Sequence, residues 1–372
     1  MKALFVLGTR PEAIKMAPVI REFQSRAEAF ETSVCVTGQH RAMLDQVLSF
    51  FSIVPDRDIN LMKPNQNLFD ITAGALTGMD KVLDELRPDC VLVQGDTTTA
   101  FAGALAAFYK KIPVAHIEAG LRSGNLFSPY PEEANRKMIG HLAQFHFAPT
   151  QKSVDHLLRE GITKHVYQVG NSVIDALHLG LRIIQGKNDN DYRGFFGSIK
   201  LDRRIVLITG HRRESFGQPF EDICRSIRDL STEFTDVEFV YPVHFNPNVR
   251  EVVNRWLKDI PNVHLLEPLD YPNLIWLMSH SYLVLTDSGG IQEEAPALGK
   301  PVLVMREVTE REEGITAGTA RLVGTNPGKI IGAVRELLLD DIQYQKMAHA
   351  VNPYGDGTTS RQIAEILIKN FK

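Results

Sequence analysis

The sequence predicts an α/β protein made of two successive series of parallel strands and helices. Three observations predict it. Short apolar runs of strand length alternate with longer segments of helical period in both halves of the chain. Those runs are rich in Val, Ile and Leu without in–out alternation, as in strands covered on both faces. Polar, glycine-bearing turns recur at the ends of the runs, where a doubly wound sheet keeps its ligand edge. A chain of 372 residues also favours two domains over a single core.

In the first half, strands are expected at 3–7, 32–36, 90–93, 113–117, 145–148 and 167–169. Helices are expected at 11–25, 40–51, 68–86, 98–109, 132–141 and 152–160, with Pro11 suited to a first helical turn. Residues 186–202 lose periodicity and read as a polar surface connection. The second series has strands at 205–209, 238–242, 263–266, 282–286, 301–305 and 321–323. Its helices lie at 219–234, 247–258, 271–279, 291–298 and 327–339. After the turn Asn352-Pro353-Tyr354-Gly355-Asp356-Gly357, residues 358–371 form an amphipathic helix. There is no low-complexity tract and no short repeat.

Composition bounds the function. The content is 44% hydrophobic and 23% charged, as in ordinary globular enzymes. A net charge of −4 argues against nucleic-acid binding. The apolar stretches are too short to span a bilayer, and the N-terminal run, broken by Arg10, is too short for a signal peptide. Cys35, Cys90 and Cys224 are scattered with no C-x-x-C pair. They read as buried thiols in a reducing cytoplasm.

Two turns point to an anion. Gly8-Thr9-Arg10-Pro11-Glu12 follows the first strand, and Asp287-Ser288-Gly289-Gly290 follows the run 282–285. Each opens a helix, so each offers free N–H groups and a positive dipole end. Two such turns in a two-domain chain suggest an anionic ligand held in a cleft between domains. Other polar residues gather at strand ends: Asp96, Glu118, His211 and His244. Asp96 is an acid–base candidate or the N-cap of the helix at Thr98. Glu118 ends an apolar strand, where a carboxylate needs a partner or a ligand. Glu132 and Glu133 fit a helical first turn, and for at least one of them that is the expected role. His211, beside Arg212 and Arg213, is expected to stay neutral and to act as base or phosphate donor. Arg10 sits unfavourably at a helix N-terminus unless an anion binds there. Arg306 and Arg311 read as solvated ion-pair residues.

The dinucleotide, P-loop and serine-hydrolase motifs are absent. The acidic pairs Asp56/Asp58 and Asp189/Asp191 look like polar loops, so no metal site is expected. A diphosphate would then be neutralised by Arg, Lys, His and helix N-termini.

Several segments, in order along the chain, resemble the non-hydrolysing bacterial UDP-N-acetylglucosamine 2-epimerases. They are Gly8-Thr9-Arg10-Pro11-Glu12, Thr37-Gly38-Gln39-His40, Gly95-Asp96-Thr97-Thr98-Thr99, His116-Ile117-Glu118-Ala119-Gly120-Leu121-Arg122, Ser128-Pro129-Tyr130-Pro131-Glu132-Glu133, His211-Arg212-Arg213-Glu214, Asp287-Ser288-Gly289-Gly290 with Gln292-Glu293-Glu294, and the turn at 352–357. The resemblance implies a GT-B type fold, two Rossmann-like doubly wound domains facing across a cleft. The domains would be 1–169 and 170–357, with the last helix, 358–372, returning to the first. It implies interconversion of UDP-N-acetylglucosamine and UDP-N-acetylmannosamine through 2-acetamidoglucal and UDP, supplying surface polysaccharide. By the same resemblance Asp96, Glu118, Glu132 and His211 are catalytic. Arg10, Lys15, Arg136, His244, Ser288, Gly289, Gly290 and Glu294 contact nucleotide or diphosphate, and Tyr271 stacks on uracil. No cofactor is implied, and a cytoplasmic homodimer is expected.

Two positions depart from the family pattern. Ser215 stands where members commonly carry Asn. Some members bind a second substrate molecule as activator; Gln39, His40 and Gln66 match that region, whereas Ala42 and Asn65 do not, so activation is not expected here. Two other functions share these features. A GT-B glycosyltransferase would need an acceptor groove, and a UDP-sugar sensor would have no use for the acid–base set. A hydrolysing variant would release free N-acetylmannosamine.

Overall fold

The computed structural model describes residues 1–38, 41–62, 66–186 and 189–371, with backbone alone at 41 and 42. The expectations resting on Gln39, His40, Asn65 and the Ala42 side chain therefore fall outside the described residues. The chain divides into two compact units, residues 1–179 with 354–372, and residues 180–353. The first unit thus reaches ten residues beyond the expected boundary, well into the helix Ser172–Gln185.

The first unit holds a seven-stranded sheet of β1 (Lys2–Leu7), β2 (Glu31–Val36), β3 (Arg57–Asp58), β4 (Cys90–Gln94), β5 (Val114–Ile117), β6 (Phe145–Ala148) and β7 (Val166–Gln168). Its order is β3-β2-β1-β4-β5-β6-β7, parallel throughout. Helices cover both faces, which is why β1 buries five of its six residues and β4 all five. Fully burying each such Val, Leu or Phe contributes roughly 1.5–3 kcal/mol. The reversal of strand order falls between β1 and β4, so a crevice for ligand opens at their C-terminal ends. The C-terminal helix Thr359–Asn370 joins this unit. Thr359 Oγ1 donates to Val169 O at 2.9 Å, Asp175 accepts from Ser360 N at 2.7 Å, and Phe371 lies against Phe145.

The second unit holds β8 (Arg204–Thr209), β9 (Val237–Pro242), β10 (Val263–Leu266), β11 (Leu283–Thr286), β12 (Val302–Val304) and β13 (Ala320–Leu322). The order is β10-β9-β8-β11-β12-β13, again parallel, with the reversal between β8 and β11. One core packs around Phe220, Ile227, Phe239, Val253, Leu285 and Leu337. The segment expected as a polar connection instead contains the helix Asp189–Phe195. Asp189 accepts from Trp276 Nε1 at 2.9 Å, and Phe196 stacks on the Trp276 ring at 5.1 Å. A buried indole needs that acceptor, and the need orders an otherwise polar stretch. Cys35, Cys90 and Cys224 are free and buried, and burial pushes the Cys35 and Cys224 thiols up to about 12. No described helix is long and apolar enough to cross a membrane.

Candidate active site

In the first unit, loops follow the C-terminal ends of β1, β4 and β5, and Glu12 ties the first two together. Its Oε2 accepts from Gly8 N at 3.0 Å and Thr9 N at 2.8 Å, and its Oε1 accepts from Thr97 Oγ1 at 2.6 Å. Burial raises the Glu12 carboxyl, and these bonds oppose the rise. Thr9 and Glu12 also form a capping box at the start of the helix Arg10–Ser25. Gly8 is required by space, because a Cβ there would run into the hydroxyls of Thr37 and Thr99, which bond each other at 2.9 Å. Arg10 opens that helix, half-buried.

Glu118 follows β5 in the left-handed region, at φ 64°, where a non-glycine residue costs of order 1 kcal/mol. It is 8% exposed, and its Oε2 pairs with Lys15 Nζ and accepts from Gln94 Nε2 at 2.8 Å. Lys15 therefore meets Glu118 in this structure, although the family pattern pointed it to the nucleotide. Asp96 follows β4. The N-cap of the helix Thr98–Tyr109 is Thr97, not Asp96. Asp96 Oδ2 is thus engaged elsewhere, 2.6 Å from Arg136 Nη2. Glu132 and Glu133, adjacent on the helix Glu132–Leu142 and so turned by about 100° from each other, have different surroundings. Glu133 is fully buried, accepts from Ser123 N at 3.0 Å and pairs with Arg136 at 3.2 Å. Glu132 Oε2 is buried with no hydrogen-bond partner, the state a ligand donor would relieve. His116 Nε2 donates to Gly95 O at 2.7 Å, and burial drives its pKa to about 3, so a neutral ring props the turn before Asp96.

In the second unit, His211 follows β8 and His244 follows β9. Their rings stack at 4.8 Å and 7°. Burial lowers the His211 pKa; Asp287 opposes that shift, and His244 and Arg212 add to it. Asp287, 2% exposed, pins the loop, its Oδ2 accepting from His211 N at 2.7 Å and Arg212 N at 2.8 Å. Ser288 is the N-cap of the helix Gly289–Ala297, yet its side chain makes no cap bond. The Ser288 side chain thus leaves the first-turn N–H groups at Gly289 and Gly290, the helix's positive end, without a side-chain cap. Arg311 lies above them, and a Cβ on Gly289 would meet its guanidinium at 3.2 Å.

Several second-unit expectations change. Arg311 Nε bonds the buried Glu293 at 2.9 Å. Arg306, 7% exposed, bonds Glu214 at 2.6 Å and Glu310 at 2.9 Å. Neither is a solvated surface residue. Tyr271 is 3% exposed, so its ring has no open face for uracil. Its hydroxyl instead donates to Glu294 Oε1 at 3.2 Å. The pairings of Glu12 with Thr97, Gln94 with Glu118, Asp287 with His211 and Arg311 with Glu293 were not legible in the sequence, because those partners lie 18 to 85 residues away. Among the described residues no group of three His, Cys, Asp or Glu is placed to hold a metal ion.

Residues 22–368 match the family model of UDP-N-acetylglucosamine 2-epimerase. The UDP-N-acetylglucosamine 2-epimerase of Escherichia coli K12 is 54% identical, covering 100% of this chain and 99% of its own. That of Salmonella typhimurium is also 54% identical, over 99% of this chain and 98% of its own. The crystal structure of the Neisseria meningitidis UDP-GlcNAc 2-epimerase bound to UDP-GlcNAc superposes with a TM-score of 0.91 at 51% identity, over the whole of both chains. The α/β class with two Rossmann-like units of the GT-B type agrees with that likeness. By full-length sequence and by fold, this chain belongs to the UDP-N-acetylglucosamine 2-epimerase family.

Proposed function

We propose that the protein interconverts UDP-N-acetylglucosamine and UDP-N-acetylmannosamine by eliminating UDP and adding it back. The observation that carries this reading is the carboxylate set at one sheet edge: Glu118 held by Lys15 and Gln94, Asp96 held by Arg136, and Glu132 with a buried oxygen lacking a partner. Epimerisation at C2 removes a proton from one face of the sugar and returns one to the other, which needs more than one acid–base group. In the forward step a carboxylate takes the C2 proton while the C1–O bond breaks, and its electron pair leaves on the diphosphate. The product is 2-acetamidoglucal. Protonation on the opposite face and re-addition of UDP at C1 complete the cycle, with atoms and charge balanced.

The charge left on UDP is stabilised by the first turn at Gly289 and Gly290, with Arg311 beside it and His244 close at hand, while His211 serves as an acid–base group. Ser288 is assigned to the same diphosphate, and Arg10 keeps its expected part in binding the UDP-sugar. Glu294, steadied by Tyr271, accepts from the ribose hydroxyls. We assign Tyr271 to this positioning role instead of uracil stacking. The reading extends to a cytoplasmic homodimer supplying N-acetylmannosamine units to surface polysaccharide.

The test is incubation of the purified protein with UDP-N-acetylglucosamine, with and without EDTA, followed by chromatography of the nucleotide sugars. UDP-N-acetylmannosamine should form at the same rate in both. Free N-acetylmannosamine as sole product would replace the reading with hydrolysis, and a rate abolished by EDTA would replace it with a metal mechanism.

A further inference from the structure

The turn Asp287-Ser288-Gly289-Gly290 does more than open a helix. Asp287 is nearly inaccessible, and its two oxygens have different surroundings. Oδ2 is consumed by the backbone N–H groups of His211 and Arg212, at 2.7 and 2.8 Å. Oδ1 is buried with no hydrogen-bond partner and lies 3.8 Å from His211 Nδ1. A buried carboxylate oxygen left without a donor is costly, and the imidazole is the titratable donor facing it. The ring is 43% exposed and stacked on His244, and a hydrogen bond to Oδ1 requires the 3.8 Å gap to shorten.

We propose that Asp287 is a positioning residue that holds the His211 imidazole in the Nδ1–H tautomer, with Nε2 bare and directed to the ligand. The proposal rests on the reading of His211 as a functional group of the reaction. One carboxylate does both parts of the job. Its two backbone bonds fix where the ring's backbone sits, and its second oxygen fixes which ring nitrogen carries the proton. A bare Nε2 accepts a proton from a ligand, and the resulting imidazolium faces the Asp287 charge. The groups facing the ring are Asp287, His244 stacked on it, and Arg212. Asp287 is the acid among them, so it alone favours the charged ring.

The substitution Asp287→Asn separates this role from mere loop anchoring. Only an oxygen can accept the two backbone N–H bonds, so the asparagine oxygen takes the Oδ2 position. Its NH2 group then occupies the Oδ1 position and donates to Nδ1, which forces the opposite tautomer.

The experiment is ¹⁵N-edited NMR of the histidine side chains in the full-length protein, with His211 assigned by His211→Gln. In the unmodified protein the neutral ring should show Nδ1–H. In Asp287→Asn it should show Nε2–H and a lower pKa, with UDP affinity kept within about threefold and kcat down on the order of 10²-fold. An Nε2–H ring in the unmodified protein overturns the proposal, as does a tautomer that the substitution leaves unchanged. If Asp287→Asn fails to fold, the spectrum of the unmodified protein still decides. The tautomer reads out whether or not the ring is needed for turnover, so failure of this inference and failure of the epimerase reading are distinguishable.

Discussion

Replacing Glu118 with Gln isolates proton transfer from architecture. The side chain keeps its shape and one oxygen, so it can still accept from Lys15 or from Gln94. It loses the charge that pairs with Lys15, and both side chains are largely buried, at 14% and 7% exposed. A charge-assisted hydrogen bond of this kind contributes about 1.5–3 kcal/mol. At roughly 2–4 °C per kcal/mol for a domain of this size, Tm should fall by about 3–12 °C. That loss leaves the protein folded at assay temperature, since total stability runs about 5–15 kcal/mol. Removing an acid–base group costs turnover about 10²–10⁴-fold, or ~2.7–5.5 kcal/mol of transition-state stabilisation. UDP affinity should stay within about tenfold, ~1.4 kcal/mol. The assay is steady-state epimerisation alongside calorimetric UDP binding and a melt. Turnover within about threefold of the unmodified protein would remove Glu118 from the chemistry. An equal collapse of turnover and UDP affinity would make it a structural residue.

Three further outcomes are expected. Gly8→Ala should destabilise by roughly 1–3 kcal/mol, because its methyl meets the Thr37–Thr99 hydroxyl pair; an unchanged melt would show that this corner yields. Burial lowers His116 to about 3 and His146 to about 4, so both are neutral when folded and charged when unfolded below about pH 6.5. Their stabilisation is fully present above that pH and is lost as pH falls toward 4 and 3, at about 1.4 kcal/mol per pH unit for each ring. His146→Phe should flatten the dependence of stability on pH by one proton between pH 6 and 4; an unaltered slope would show that His146 is already protonated when folded. Tyr271→Phe removes the donor to Glu294 and should raise KM for the UDP-sugar about two- to tenfold with kcat nearly kept; an unmoved KM would show that Glu294 binds without the Tyr271 hydroxyl.

The sequence carried the strands best where burial on both faces made them continuous apolar runs. β1 and β4 lie within one residue of their expected ranges; β6 and the edge strand β10, of which only Val263 is buried, lie at theirs, as do the helices Leu68–Leu86, Thr98–Tyr109 and Pro327–Leu339. β3 escaped because it is two exposed polar residues paired to β2, with no hydrophobic pattern of its own. The helix Asp189–Phe195 escaped because its order comes from the distant Trp276. Site residues at strand ends were legible as residue types, since a polar group after an apolar strand is conspicuous. Their partners were not, because pairing is set by tertiary contact. Asp96 could be read equally as a cap until Thr97 was seen to occupy that position. Tyr271 looked like a stacking ring until its burial placed its hydroxyl on Glu294. Arg306 and Arg311 lie in an acidic run that resembles a solvated surface, and only the fold shows Arg306 buried and Arg311 half-buried among carboxylates.

The most direct test of the central claim is proton NMR of UDP-N-acetylglucosamine incubated with the protein in D2O. Elimination and re-addition predict a new anomeric signal for UDP-N-acetylmannosamine with deuterium at C2. A C2-epimer that keeps its original proton would contradict proton exchange with the carboxylate set, and an unchanged spectrum in the presence of bound UDP would contradict epimerisation itself.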